Sequence, residues 1–145
     1  MIAMRSPHTA LNTARLADDV SLPLPRMYAL VEEARARLQG RGWDPEVVSP
    51  VGYGHLGDGN LHLNISTPGR GEPYHDKLLA DIEPWVYEWV LGEGGSISAE
   101  HGMGQAKAAW LARARPAPVV KLMRGLKGLL DPHGILNPGK VLPLE

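Results

Sequence analysis

The sequence predicts an α+β fold of the ferredoxin-like split βαβ type, in which helices cover one face of an antiparallel sheet, extended by a C-terminal helix and tail. Three observations support this prediction. Strand-like and helix-like segments follow the order β-α-β-β-α-β, both helices have a broad apolar face, and one strand alternates strictly between apolar and polar residues. With 145 residues and 43% hydrophobic content, the chain can form one core.

The first half of the chain contains one predicted helix and two predicted strands. Residues 19–23 are predicted to form a short strand that a proline ends. Pro25 then opens a helix with apolar residues at 3.6-residue spacing, and Gly40 ends this helix. Residues 45–53 are predicted to form a second strand, in which Pro50 indicates an edge position or a bulge.

A predicted hairpin comes next. Residues 57–60, Gly-Asp-Gly-Asn, are typical of a turn because glycine and asparagine tolerate positive φ. Residues 61–66 alternate between apolar and polar, as expected for a half-buried strand with Leu61, Leu63 and Ile65 facing the core. If residues 57–60 are the loop of the hairpin, His55 lies directly opposite His62 across the two strands.

The second half of the chain adds two predicted helices. The first spans about 78–90, and Pro84 within it is expected to kink the helix or to split it in two. Three glycines end this helix, and residues 96–98 are predicted to form a short final strand. Residues 119–130 have the apolar spacing of a last helix, which a tail rich in glycine and proline follows.

The composition excludes several classes of function. A formal net charge of −1 gives no electrostatic basis for binding nucleic acid or an anionic membrane. No run of about 18 apolar residues is a candidate membrane span. Cysteine is absent, so a metal ion would need His, Asp or Glu ligands. Residues 1–17 are expected to be a disordered N-terminus, and residues 18–145 to form one domain.

A metal site is the strongest chemical signal in the sequence. The G-x-G-x-x-G at residues 52–57 does not predict a dinucleotide site, because it leads into a strand and such a site needs a helix there. His62 shares one strand face with Asn64, and Glu100 follows the short strand at 96–98. Two imidazoles and one carboxylate form a common catalytic metal set, with zinc favoured over manganese or iron. The alternative is a hairpin with two incidental histidines and a surface Glu-His pair.

Three motifs in the same order resemble the C-terminal domain of the FAD-linked oxidases of the vanillyl-alcohol oxidase type. They are GHLGDGNLHLN at residues 54–64, GGSISAEHGMG at 94–104 and LKGLLDPHGILNPGK at 126–140. The resemblance extends from about Asp19 to the C-terminus. Within this family the chain is most similar to enzymes that oxidise D-2-hydroxyglutarate.

The resemblance implies a mitochondrial flavoenzyme, with a cytoplasmic location as the alternative, that passes hydride from a D-2-hydroxy acid to FAD and then to an electron acceptor. It implies that His55, His62 and Glu100 bind the metal, usually zinc. Asn64 and His101 would contact the substrate, with His101 as the base that takes the hydroxyl proton. Asn137 lies in the tail segment that would pack near the flavin.

Two departures from the family pattern affect these expectations. A substrate-binding lysine should precede the Asp-Val-Ser-Leu-Pro segment, but Ala17 or its neighbours occupy that place and the first lysine is Lys77. The expected substrate-binding arginine would fall within residues 1–16, which do not match. The family's N-terminal FAD-binding domain is also expected to lie outside these 145 residues. We therefore expect a fragment that is inactive alone or a subunit that needs a separate FAD-binding chain. The alternative is a non-catalytic metal-binding subunit or remnant. A third hypothesis is a small metallohydrolase.

Overall fold

The structure, a computed structural model, describes residues 15–67 and 72–144. Its strands are β1 Arg15–Ser21, β2 Ser49–His55 and β3 Asn60–Ser66, and its helices are α1 Met27–Gly40, α2 Glu72–Gly92, α3 Leu111–Ala114 and α4 Ala117–Leu130. Short 3-10 helices span Leu24–Arg26, Leu56–Asp58 and Ala108–Trp110. Residues 1–14 of the predicted disordered N-terminus lie outside the described residues, while β1 includes 15–17.

An antiparallel sheet with the strand order β1-β3-β2 confirms the α+β prediction. The predicted final strand is shorter than expected. In place of a strand over 96–98, a single antiparallel bridge joins Ser96 to Ser21 at the end of β1. The chain then turns away because the hydroxyl of Ser96 hydrogen-bonds to Ser98 and the next three N–H groups donate to the carboxylate of Asp19.

The core lies between the sheet and the helices α1 and α2. As the alternation predicts, Leu61, Leu63 and Ile65 of β3 are buried. They belong to one cluster with the apolar residues of both helices, which include Leu30, Val31, Ala34, Ile82, Val86 and Val90. Spacing of three and four residues puts these side chains on one face of each helix, so the opposite face of the sheet remains available for polar residues.

Helix α2 does not split at Pro84, which was one of the two predicted outcomes. The helix continues as one element from Glu72 to Gly92. An internal proline costs about 3 kcal/mol because it lacks an N–H group and crowds the preceding turn. Ile82 and Val86 are fully buried on either side of Pro84. Burial of such side chains stabilises by about 1.5–3 kcal/mol each, which is enough to offset that cost.

The hairpin between β2 and β3 has a different register from the predicted one. His55 pairs with Asn60, and His62 pairs with Tyr53. The loop comprises residues 56–59 because Gly59 adopts a left-handed conformation with φ 73°, which allows Asn60 to join β3. The register differs by two positions, and strand side chains repeat every two residues, so both histidines remain on one face.

Gly95 lies so close to β1 that its substitution should change the stability of the fold. A Cβ atom at Gly95 would lie 2.3 Å from the carbonyl oxygen of Ser21. We expect Gly95→Ala to lower the free energy of unfolding by about 1–3 kcal/mol, because the backbone must move to relieve this overlap. Urea denaturation measures the effect. Gly92→Ala is the control, since no atom lies within 4 Å of a Cβ there; equal stability of the two variants would contradict the prediction.

Candidate functional site

The candidate site lies on the face of the sheet opposite the core. Strand register places Asp19 of β1, His62 of β3 and Tyr53 of β2 side by side across the sheet. The rings of Tyr53 and His62 are 5.5 Å apart between centroids. The segment that follows the Ser96 bridge then brings Glu100 and His101 to the same place.

Four side chains converge at this point. Asp19, His62, Glu100 and His101 each have one potential metal-ligand atom, and these atoms all lie within 4.8 Å of one another. His62 Nε2 is 3.0 Å from Glu100 Oε1, and His101 Nε2 is 3.7 Å from the same oxygen. The structure therefore brings together His62, Glu100 and His101, three residues that the sequence singled out.

The remaining predicted site residues lie at different distances from this cluster. His55, at the exposed end of β2, is outside it, with its ring centroid 6.1 Å from that of His62. Asn64 is buried two residues beyond His62 on the same strand face. Asn137 is exposed in the tail after α4, and the tail is joined to the site segment by a 2.6 Å hydrogen bond from the N–H of Val141 to the carbonyl of Gly104.

Asp19 is the residue that the sequence analysis missed. Its Oδ2 atom accepts hydrogen bonds from the backbone N–H groups of Ala99, Glu100 and His101 at 2.8–2.9 Å. Burial acts to raise the pKa of Asp19, but these hydrogen bonds and the nearby His101 together hold the pKa below its usual value. A signal was available in the strand itself, since an acid there alternates with Val20 and so faces away from the core.

Three buried polar atoms on this face have no hydrogen-bond partner among the described residues. They are Asp19 Oδ1, Asn60 Oδ1 and Asn64 Nδ2. Asn60, His62 and Asn64 occupy alternate positions of β3, and Asp19 lies opposite His62, so all three atoms belong to residues of one sheet face. Buried polar groups are hydrogen-bonded in the great majority of proteins, which makes this face suitable for a polar ligand.

The donor set fits a divalent transition metal. Imidazole nitrogen and carboxylate oxygen are the ligands that zinc, manganese and iron share in catalytic sites. Glu100 and His101 have exposed side chains, whereas Asp19 is buried, so one side of the cluster is open to a small molecule. A site with an open position is what catalytic metal chemistry requires.

A second charged group lies behind the site, on the core face of β1. The ammonium of Lys107 is 2.6 Å from the carbonyl oxygen of Ile97 and 3.9 Å from Asp18 Oδ1, so it ties the site segment to β1. Burial raises the pKa of Asp18 to about 6, although Lys107 and the hydroxyl of Tyr87 act to lower the pKa. Asp18 is thus a carboxyl group whose ionisation destabilises the fold.

The sequence of this chain matches a known family. The family model for the C-terminal domain of FAD linked oxidases matches residues 1–141, and the chain belongs to this family. None of the helices in the described part of the chain has both the length and the hydropathy needed to cross a bilayer.

Individual relatives are similar over most of this chain. It is 53% identical over 125 residues to the mitochondrial D-2-hydroxyglutarate dehydrogenase of Bos taurus, covering 86% of this chain and 21% of that protein. Identity to the Arabidopsis thaliana enzyme of the same name is 51%, with the same coverage. A putative mitochondrial D-lactate dehydrogenase of Schizosaccharomyces pombe is 44% identical over 127 residues, 84% of this chain and 23% of that protein. The chain thus spans about a fifth of the length of the first two relatives.

The raised pKa of Asp18 gives a pH-dependent prediction for the metal-free chain. The pKa of Asp18 is about 6 in the folded state, whereas its ordinary value is 3.8. Asp18 therefore stabilises the folded state fully below pH 4, and this contribution is lost as the pH rises through 6. We compare the free energy of unfolding of Asp18→Asn with that of the original chain. As the pH rises from 4 to 7, we expect the difference to move in favour of the variant by about 3 kcal/mol.

Urea denaturation in the presence of a chelator, at several pH values, measures this difference. Glu32→Gln, which changes an exposed acid on α1, is the control and should give no comparable trend. A constant difference between Asp18→Asn and the original chain over this pH range would contradict the prediction.

Proposed function

We propose that this chain is the metal- and substrate-binding C-terminal part of a FAD-dependent D-2-hydroxyacid dehydrogenase that oxidises D-2-hydroxyglutarate to 2-oxoglutarate. The observation that carries the proposal is the convergence of His62, Glu100 and His101 in a chain 53% identical to a relative named for this reaction. The relatives' names support a mitochondrial location, which we assign to the matrix.

His55, His62 and Glu100 are the proposed metal ligands. His62 Nε2 and Glu100 Oε1 are already 3.0 Å apart. His55 lies on the same face of the sheet, and its exposed side chain can rotate towards them. A divalent metal at this position would act as a Lewis acid on the substrate hydroxyl and lower the pKa of that hydroxyl.

Two residues are assigned to the substrate. His101 has an open imidazole beside Glu100, and it accepts the proton of the substrate hydroxyl at a ring nitrogen. Asn64 Nδ2, which lacks a partner among the described residues, donates a hydrogen bond to a substrate oxygen. FAD, the acceptor that the family implies, would take the C2 hydride when bound, and loss of that hydride and of the hydroxyl proton would together account for oxidation of the alcohol to the ketone.

The family is FAD linked, and this chain matches 21% of the bovine relative, so we propose that the site works together with a flavin-binding part. We assign its docking surface to α4 and the tail. Helix α4 has no buried residue, and Leu122, Leu126 and Leu129 are 64%, 52% and 77% exposed. An apolar stripe of this kind marks an interface. The tail that contains Asn137 is held to α4 by a hydrogen bond from the ammonium of Lys127 to the carbonyl oxygen of Leu136, and we assign it to the same docking surface.

The second candidate is a non-catalytic metal-binding subunit or remnant. Ala17 favours it, because alanine cannot replace the charged group of a substrate-binding lysine at the place where the family resemblance requires one. This candidate retains the metal site but predicts no oxidation of D-2-hydroxyglutarate under any conditions.

The ligand assignment predicts a difference between two histidine variants. We expect His55→Ala to weaken Zn²⁺ binding at least tenfold, because it removes a ligand, and His101→Ala to change the affinity less than threefold, because His101 acts on the substrate. Competition with a chromophoric chelator measures both affinities. The opposite order would show that the metal uses His101 and that the His55 assignment is wrong.

The docking assignment predicts complementation between two chains. The zinc-loaded chain alone, given FAD, D-2-hydroxyglutarate and a dye acceptor, should not reduce the dye, because FAD binding is assigned to the separate part. Addition of the bovine relative expressed without its matching segment should produce dye reduction, and Leu129→Asp should lower the rate at least tenfold.

Leu24→Asp is the matched control, since Leu24 is also exposed but lies on the 3-10 helix before α1. Equal loss of dye reduction in both variants would contradict docking on α4. Dye reduction by the zinc-loaded chain alone would show that no separate flavin-binding part is needed. Failure of the mixture to reduce the dye would favour the non-catalytic candidate.

A further inference from the structure

We propose that Asp19 is the positioning residue of this metal centre, and that its one carboxylate orients two ligands that are distant in the sequence. Oδ2 fixes the segment that carries Glu100, and Oδ1 selects the tautomer of His62 that leaves Nε2 available for the metal. The inference rests on the proposed metal site, but its central measurement needs no metal.

The first half of the argument concerns Oδ2. Three successive backbone N–H groups, those of Ala99, Glu100 and His101, donate to this one oxygen at 2.8–2.9 Å. Asp19 is 2% exposed, so these charge-assisted hydrogen bonds are shielded from water. They leave the carboxylate little freedom to rotate, and they place Glu100 over β3.

The second half concerns Oδ1. This oxygen is buried and has no hydrogen-bond partner among the described residues, and His62 Nδ1 lies 3.8 Å from it. The other ring nitrogen, Nε2, is 3.0 Å from Glu100 on the metal side. A separation of 3.8 Å is too long for a hydrogen bond, and a modest rotation of the His62 ring closes it while Asp19 stays fixed.

The consequence follows from the chemistry of neutral imidazole. Only one ring nitrogen carries hydrogen, and the other has the lone pair that binds a metal. A carboxylate next to Nδ1 favours hydrogen on Nδ1, which leaves the lone pair on Nε2 for a metal ion that Glu100 would share. Without a metal, Glu100 Oε1 competes for the same ring hydrogen, because it lies 3.0 Å from Nε2. Metal-binding histidines commonly donate their second N–H to a carboxylate in this way, and loss of such a partner costs about 10–100-fold in metal affinity.

Lys107 supports the same arrangement from behind. Its ammonium lies 3.4 Å from the carbonyl oxygen of Asp19 and 2.6 Å from that of Ile97, so it holds β1 and the site segment together. The carboxylate that it faces is that of Asp18, at 3.9 Å. Oδ1 of Asp19 is therefore left to His62.

The tautomer of His62 in the metal-free Glu100→Ala variant tests the proposal directly, because this variant removes the carboxylate that competes for the ring hydrogen at Nε2. Two-dimensional ¹⁵N–¹H spectra of the imidazoles at mildly alkaline pH distinguish the two tautomers, and addition of His62→Gln identifies the signal. We expect hydrogen on Nδ1 in Glu100→Ala. When Asp19→Asn is added to Glu100→Ala, the amide oxygen can keep the backbone hydrogen bonds while the amide NH₂ faces Nδ1, so we expect hydrogen on Nε2. Hydrogen on Nε2 in Glu100→Ala would overturn the proposal.

Co²⁺ binding, followed by visible absorption, provides the second readout. We expect Asp19→Asn to weaken Co²⁺ binding by about 10–100-fold with unchanged band positions, because the ligand atoms stay the same. Shifted bands would show that Asp19 is itself a ligand, and an affinity within twofold of the original would show that it positions nothing; either result refutes the proposal.

Asp131→Asn is the matched control. Asp131 is also buried, and it accepts hydrogen bonds from the backbone N–H groups of Ile135 and Leu136 in the tail. Its loss should reduce stability without changing the His62 tautomer or the Co²⁺ affinity. Absence of metal binding in the original chain would refute the proposed metal site, while the tautomer measurement would still test the pairing of Asp19 with His62.

Discussion

The geometry of the site depends on the bonds between the carboxylate of Asp19 and the backbone of residues 99–101. A hydrogen bond to a charged group contributes about 1.5–3 kcal/mol, so three of them can offset the cost of burying one carboxylate. The same bonds explain why the last predicted strand ends after one bridge, because its N–H groups turn from the sheet to Asp19. Strand pairing therefore stops at this edge of the sheet, and the same N–H groups fix the positions of Glu100 and His101.

Local patterns were sufficient to predict most of the fold and the composition of the polar sheet face. Alternation along β3 correctly assigned Leu61, Leu63 and Ile65 to the core, and apolar spacing identified α1, α2 and α4. The hairpin register was predicted wrongly because Gly57 and Gly59 are both acceptable turn residues, and only Gly59 adopts positive φ. The error left the face of each histidine unchanged, since the register moved by an even number of residues.

The rest of the site depends on contacts between residues far apart in the chain. Asp19 and the N–H of Ala99 are 80 positions apart, and no periodicity in either segment indicates that they meet. Pro84 illustrates the same limit, because a local rule predicts a break and the burial of Ile82 and Val86 on both sides opposes it. Sequence patterns indicated His62, Glu100 and His101 as candidate site residues, whereas the contact of Asp19 with residues 99–101 is visible only in three dimensions.

Two surfaces of the chain remain incomplete, and they differ in chemistry. The polar sheet face has buried oxygen and nitrogen atoms that lack a hydrogen-bond partner within residues 15–67 and 72–144, which suits a hydroxy acid and a metal ion. Helix α4 exposes leucines, which suits a protein surface. The hydrogen bond from Val141 to Gly104 joins the tail after α4 to the segment that carries His101. A flavin-binding part docked on α4 and the tail would therefore lie next to the proposed base, as transfer of a hydride and a proton from one substrate requires.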